Sequence, residues 1–93
     1  MRPSTDELRA RLAGAFPDAT LEVLDDSHLH AGHAGAQGGA GHYRVRVVSA
    51  RFDGRLTVAR HRLVYDAVAD WMPHRVHALS IVARTPAEAA DGR

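Results

Sequence analysis

Between Tyr43 and Ala83 the apolar residues change period twice, and this restricts the possible folds more than any other feature of the chain. Tyr43, Val45 and Val47 alternate with Arg44 and Arg46, the two-residue period of a strand buried on one face. From about Leu56 to Met72, Leu63, Val64, Ala67, Val68 and Trp71 recur at helical spacing, with Arg62, Asp66 and Asp70 on the other face. Arg62 and Asp66 stand at the separation of a helical ion pair. Pro73 stops this helix, and Val76 to Ala83 returns to alternation, with His77, Leu79, Ile81 and Ala83 on one face. Strand, helix and strand in this order imply a right-handed crossover between parallel strands, with the helix packed on the sheet.

The remaining segments complete the order. Ser4 to Phe16 reads as a helix: Ser4 and Glu7 form a capping box, Leu8, Leu12, Ala15 and Phe16 share a face, and Pro17 ends it. Ala19 to Leu24 alternates as a second half-buried strand, and Thr85-Pro86-Ala87-Glu88 carries the signals of a short terminal helix. The expectation is an α+β fold of order α-β-β-α-β-α, a three-stranded mixed sheet with helices on one face. The 93 residues suit one domain, 1–93. No run approaches the roughly 18 to 20 apolar residues of a membrane span, and the opening MRPSTDELRARL is unlike a signal peptide, so a cytoplasmic location is expected.

The strands at Ala19 and Tyr43 are separated by a long segment, Asp26 to Gly41, with five glycines and three of the seven histidines. Its glycines and scarce apolar anchors predict poor order without a ligand. His28-x-His30-x-x-His33 has the spacing at which imidazoles of an extended loop converge on one ion; the competing reading is a solvated loop with incidental histidines. A binuclear hydrolase motif fails because Gly32 stands where its aspartate belongs. Gly35-Ala36-Gln37-Gly38 matches the G-x-x-G of KH domains, but it joins two strands here and helices there. The chain has no cysteine, so thiolates for any cluster must come from elsewhere. Ser27, a histidine and Asp66 form no recognisable hydrolytic site without a nucleophile elbow, and an enzyme is not expected.

The net charge of +1 is no nucleic-acid footprint, although all twelve basic side chains are arginine. Arg51, Arg55, Arg60 and Arg62 are the candidates for DNA phosphates, with Arg62 expected to be engaged by Asp66.

DSHLHAGHAG, HYRVRVVSARFDG, ARHRLVYDAVADWM and VHALSIVARTP, in this order, make the chain similar to the BolA family over almost its whole length. The resemblance implies a fold like that of class II KH domains. It also implies pairing with a monothiol glutaredoxin in a heterodimer that holds a bridging [2Fe–2S] cluster with glutathione, in iron–sulfur trafficking or iron regulation; some members act as transcriptional regulators. By the family pattern, the cluster ligands fall on His77 of VHAL and on His30 of the acidic-Ser-x-x-His loop, with His28 and His33 as possible substitutes. The isolated protein is expected to hold no stable cluster, because two imidazoles cannot fill its four terminal positions. One departure from the pattern is Gly41, where an acidic residue is usual before the His-aromatic pair.

Overall fold

The computed structural model describes residues 2–30 and 40–92, the side chains of Leu29 and His30 excepted. The elements are α1 (Thr5–Ala15), β1 (Thr20–Asp25), β2 (Gly41–Val48), α2 (Thr57–Ala67), β3 (Val76–Arg84) and α3 (Pro86–Ala90), with short 3-10 turns at Ser27–His30, Ala50–Phe52 and Ala69–Trp71. The expected α-β-β-α-β-α order is found. Both capping boxes form: the Ser4 hydroxyl accepts the Glu7 N–H at 3.0 Å while Glu7 accepts the Ser4 N–H at 2.9 Å, and Thr85 and Glu88 do the same at α3. Among the described residues no helix is long and apolar enough to cross a membrane.

The sheet order is β1-β2-β3, with β1 antiparallel and β3 parallel to β2. Val23 faces Val45 and Ile81 faces Val45 from the other side. Tyr43, Val45 and Val47 of β2 are buried with Leu8 and Leu12 of α1, Phe16 at its end, Val64 of α2, Val68 at its end, and Leu79 and Ala83 of β3. Both long helices therefore cover the same face of the sheet. Arg44 and Arg46 lie on the other face with Glu22, Leu24, Ser80 and Val82, where Leu24 is 52% exposed.

Two details depart from the sequence expectation. The second helix is shorter than Leu56 to Met72: Val68 leaves helical geometry, and the chain tightens into the Ala69–Trp71 turn that seats Trp71 against the guanidinium groups of Arg11 and Arg75, 4.0 and 4.7 Å from the ring centroid. Among the described residues Arg62 and Asp66 make no ion pair. Asp70 instead binds Arg11 of α1 at 2.6 Å, and that guanidinium holds its carboxyl below the usual range.

The turn after β2 accounts for the run Val48-Ser49-Ala50-Arg51-Phe52-Asp53-Gly54. Ser49, fully buried, donates its hydroxyl to Asp18 and accepts the Arg51 N–H, and Asp18 also accepts the Ala50 N–H at 2.8 Å. Those bonds, the Ala50 N–H foremost, depress the Asp18 pKa. Phe52 then enters the core against Phe16, and Gly54 takes the left-handed conformation, φ 73°, that an L side chain resists.

Candidate metal centre

Because β2 and β3 are parallel, their first residues lie side by side, and the chain leaving β1 arrives at the same end of the sheet. Three hydrogen bonds fasten that arrival. The Ser27 N–H donates to Asp25 at 2.8 Å, the His42 N–H to the Ser27 hydroxyl at 3.0 Å, and the Asp26 N–H to the His42 carbonyl at 2.8 Å. Arg44 binds Asp26 at 2.5 Å and Arg2 binds Asp25 at 3.2 Å. Partial burial works against ionisation of Asp25, yet the Ser27 hydrogen bonds and the Arg2 charge hold its pKa below the ordinary value. The acidic-Ser motif is thus an anchor for the histidine segment that follows it.

His77 occupies the irregularity of the sheet. Gly41 pairs with Val76 and His42 with Ala78, so one step on β2 spans two on β3 and His77 is the extra residue. Such a bulge re-aims a side chain. Unbroken alternation places His77 on the core face with Leu79, as the sequence suggested. The bulge gives that inward position to Val76, which is fully buried, while Leu79 stays inside and His77 is exposed. Its ring lies against that of His42, centroids 5.2 Å apart and planes tilted by 45°.

Of the sequence-predicted donors, His77 is exposed at the bulge and His28 is exposed on the Ser27–His30 turn. His30 ends that turn, though its side chain lies outside the described residues. His33 and the Gly35–Gly38 motif lie outside them altogether, as does most of the segment read as poorly ordered. Among the described residues no three His, Asp or Glu side chains group as a metal shell. The described imidazoles at this end of the sheet are His77, exposed at the bulge, His28, exposed on the turn, and the buried His42.

The arginine candidates divide. Arg60 grips Glu88 through both terminal nitrogens at 2.6 and 3.1 Å and donates to the carbonyls of Ala83 and Arg55. Arg51 donates to the Ala15 carbonyl at 2.6 Å and lies over the Phe16 ring. Arg55, which bonds the Arg51 carbonyl, and Arg62 are exposed. Two of the four therefore hold the fold together. Tyr65, which the helical pattern left without a role, donates its hydroxyl to the Leu79 carbonyl at 3.0 Å. Together with Arg60 on Ala83 it occupies backbone acceptors of the strand at the edge of the sheet, which explains Arg60 and Tyr65 of the run Arg60-His61-Arg62-Leu63-Val64-Tyr65. His42, whose successors on that face of β2 are Arg44 and Arg46, reads from the sequence as a packing residue rather than a ligand, and its side chain is buried.

A family model described as BolA-like protein matches residues 12–88. SufE-like protein 1, chloroplastic/mitochondrial, of Arabidopsis thaliana is 46% identical over 86 residues, covering 87% of this chain and 23% of that protein. BolA-like protein 1 of Mus musculus is 42% identical, covering 92% of this chain and 61% of its own length. The DNA-binding transcriptional regulator BolA of Vibrio cholerae is 37% identical, with 89% and 76% covered. The solved BolA domain of SufE1 from Arabidopsis thaliana superposes with a TM-score of 0.79 at 44% identity, covering 90% of this chain and 93% of that one. The chain spans about a quarter of the first relative's length and about three-fifths of the second's. With the match extending from α1 into α3 and the fold shared, the chain belongs to the BolA-like protein family.

Proposed function

We propose that this chain is the cytoplasmic partner of a monothiol glutaredoxin, and that the two share a bridging [2Fe–2S] cluster in iron–sulfur trafficking or iron regulation. The observation that carries the reading is the placement of His77. The bulge turns it outward at the one end of the sheet where the His28–His30 turn is fastened through Ser27 and His42. His77 and His30 would serve as this chain's ligands, with His28 or His33 able to replace His30. The thiolates come from the glutaredoxin and glutathione, since this chain has none. The cluster is cargo handed between proteins, and the role of this chain is to bind, so no catalytic residue is assigned. Imidazole ligation raises the potential of such a centre relative to all-thiolate ligation and makes its retention sensitive to pH.

The test is to titrate the protein into a cluster-loaded monothiol glutaredoxin. A 1:1 complex whose visible absorption and circular dichroism differ from those of the glutaredoxin homodimer is expected, and no spectral change would count against the reading. A second reading, a DNA-binding regulator, is favoured by the exposed Arg55 and Arg62 and by the name of the Vibrio relative. With two arginines available, the log–log salt slope of duplex binding would be only about −2. A steeper slope for the isolated protein would favour regulation.

A further inference from the structure

His42 is a buried imidazole that the proposed ligation does not use. It lies on the face of β2 that also carries Arg44 and Arg46, opposite Tyr43, Val45 and Val47, yet it is only 7% exposed. An ionisable ring is an expensive way to fill space on a sheet face where neighbouring positions remain open to water. Its backbone is held from both sides, the N–H by the Ser27 hydroxyl and the carbonyl by the Asp26 N–H. The ring thus stands on a base that cannot shift without unfastening the histidine turn.

His77 has the opposite problem. As the extra residue of the bulge it stands outside the regular pairing register, so the pleat does not set its side-chain direction. An exposed side chain on such a base can sample all three staggered χ1 wells. Among the described residues, the ring placed against it is that of His42, at 5.2 Å between centroids.

We propose that His42 is the positioning residue for His77: its fixed ring is the wall that selects one His77 rotamer and ties it in register with the Ser27–His30 turn. This rests on the assignment of His77 as a cluster ligand. The mechanism is pre-organisation. If losing the wall spreads His77 over three wells, the competent fraction falls to about a third and the apparent affinity weakens about threefold. A flat ring at position 42 should suffice, because the contact is ring against ring.

The test uses the full chain as wild type, His42→Ala, His42→Phe and His42→Gln. In the apo protein, three-bond couplings across χ1 of His77 should show a single rotamer for wild type and His42→Phe, and averaged values for His42→Ala and His42→Gln. In the glutaredoxin complex, His42→Ala should bind about threefold more weakly with an altered circular dichroism spectrum, and His42→Phe should restore both. A single His77 rotamer in the Ala and Gln variants overturns the proposal. So does an unchanged affinity and spectrum when the couplings do average. Should the Ala variant fail to fold, the Gln and Phe pair decides by the same readouts. If wild type forms no mixed complex, the glutaredoxin reading fails while the apo couplings still decide whether His42 orients His77.

Discussion

Gly41 lies beneath the ring of Tyr43: a β-carbon on Gly41 would overlap Cε2, Cζ and the hydroxyl oxygen of that ring. This gives the glycine before the His-aromatic pair a physical reason. The Tyr43 ring folds back over it to reach the Pro3 carbonyl, to which its hydroxyl donates, so that β2 holds the start of the chain in place.

Gly41→Ala should therefore destabilise the fold by about 1–3 kcal/mol, the usual cost of overpacking a tight site. Gly14, in α1 with nothing within 4 Å of an added β-carbon, provides the contrast. Gly14→Ala should stabilise by about 0.5–1 kcal/mol through helix propensity. Urea midpoints at constant m-value measure both, and equal effects would show that the Tyr43 contact is not the cause.

The same tyrosine predicts an alkaline limit. Burial first, and the Asp25 charge second, push its pKa up to about 12 from 10.0. The unfolded chain gives up this proton near pH 10 and the folded chain near 12. Stability that depends on the neutral phenol is thus fully present below pH 10 and is lost as the pH rises through about 12, a change of about 2–3 kcal/mol. Tyrosinate absorbance for one phenol should rise together with loss of the fold. In Tyr43→Phe the alkaline slope should flatten while neutral stability drops by about 1 kcal/mol for the lost hydrogen bond. Identical slopes in the two proteins would contradict the assignment.

Arg60 and Glu88 join α2 to α3 through side chains only 13% and 24% exposed, and Glu88 also closes the capping box with Thr85. Glu88→Ala should cost about 1–2 kcal/mol and speed amide exchange in α3. Arg60→Ala should cost a similar amount, whereas Arg62→Ala, at an exposed position without an ion pair among the described residues, should fall within about 0.5 kcal/mol of wild type. Thermal melts of the three variants decide this; a neutral Arg60→Ala would return that arginine to the candidates for DNA phosphates.

For the proposed cluster, the fixed ligand should be harder to replace than one that has neighbours of its own kind. His77→Ala should abolish the spectrum of the mixed complex while leaving far-ultraviolet circular dichroism unchanged. His30→Ala should weaken and alter that spectrum, and the triple replacement of His28, His30 and His33 should remove what His30→Ala leaves. Survival of the wild-type spectrum and cluster lifetime in His77→Ala would make DNA binding the leading reading.

The parts of this protein that were legible in the sequence depend on contacts between residues close along the chain. Ser4 with Glu7 and Thr85 with Glu88 meet within one helical turn, so the caps could be read directly. The alternation of Tyr43, Val45 and Val47 is a property of one strand, and with it came the element order and the buried face. What tertiary structure alone decided depends on how separate strands and helices meet. Alternation extended through Val76–Ala83 put His77 on the core-facing side at the rim of the core, but pairing with β2 inserted a bulge that kept both Val76 and Leu79 inside and left His77 exposed against His42. Arg62 and Asp66 had ion-pair spacing, yet the partnerships formed were Arg60 with Glu88 and Arg11 with Asp70, across elements. A residue's period along the chain tells which face it prefers; only the register between strands and the approach of neighbouring helices determine which side chains meet there, because those are settled by packing the whole core at once.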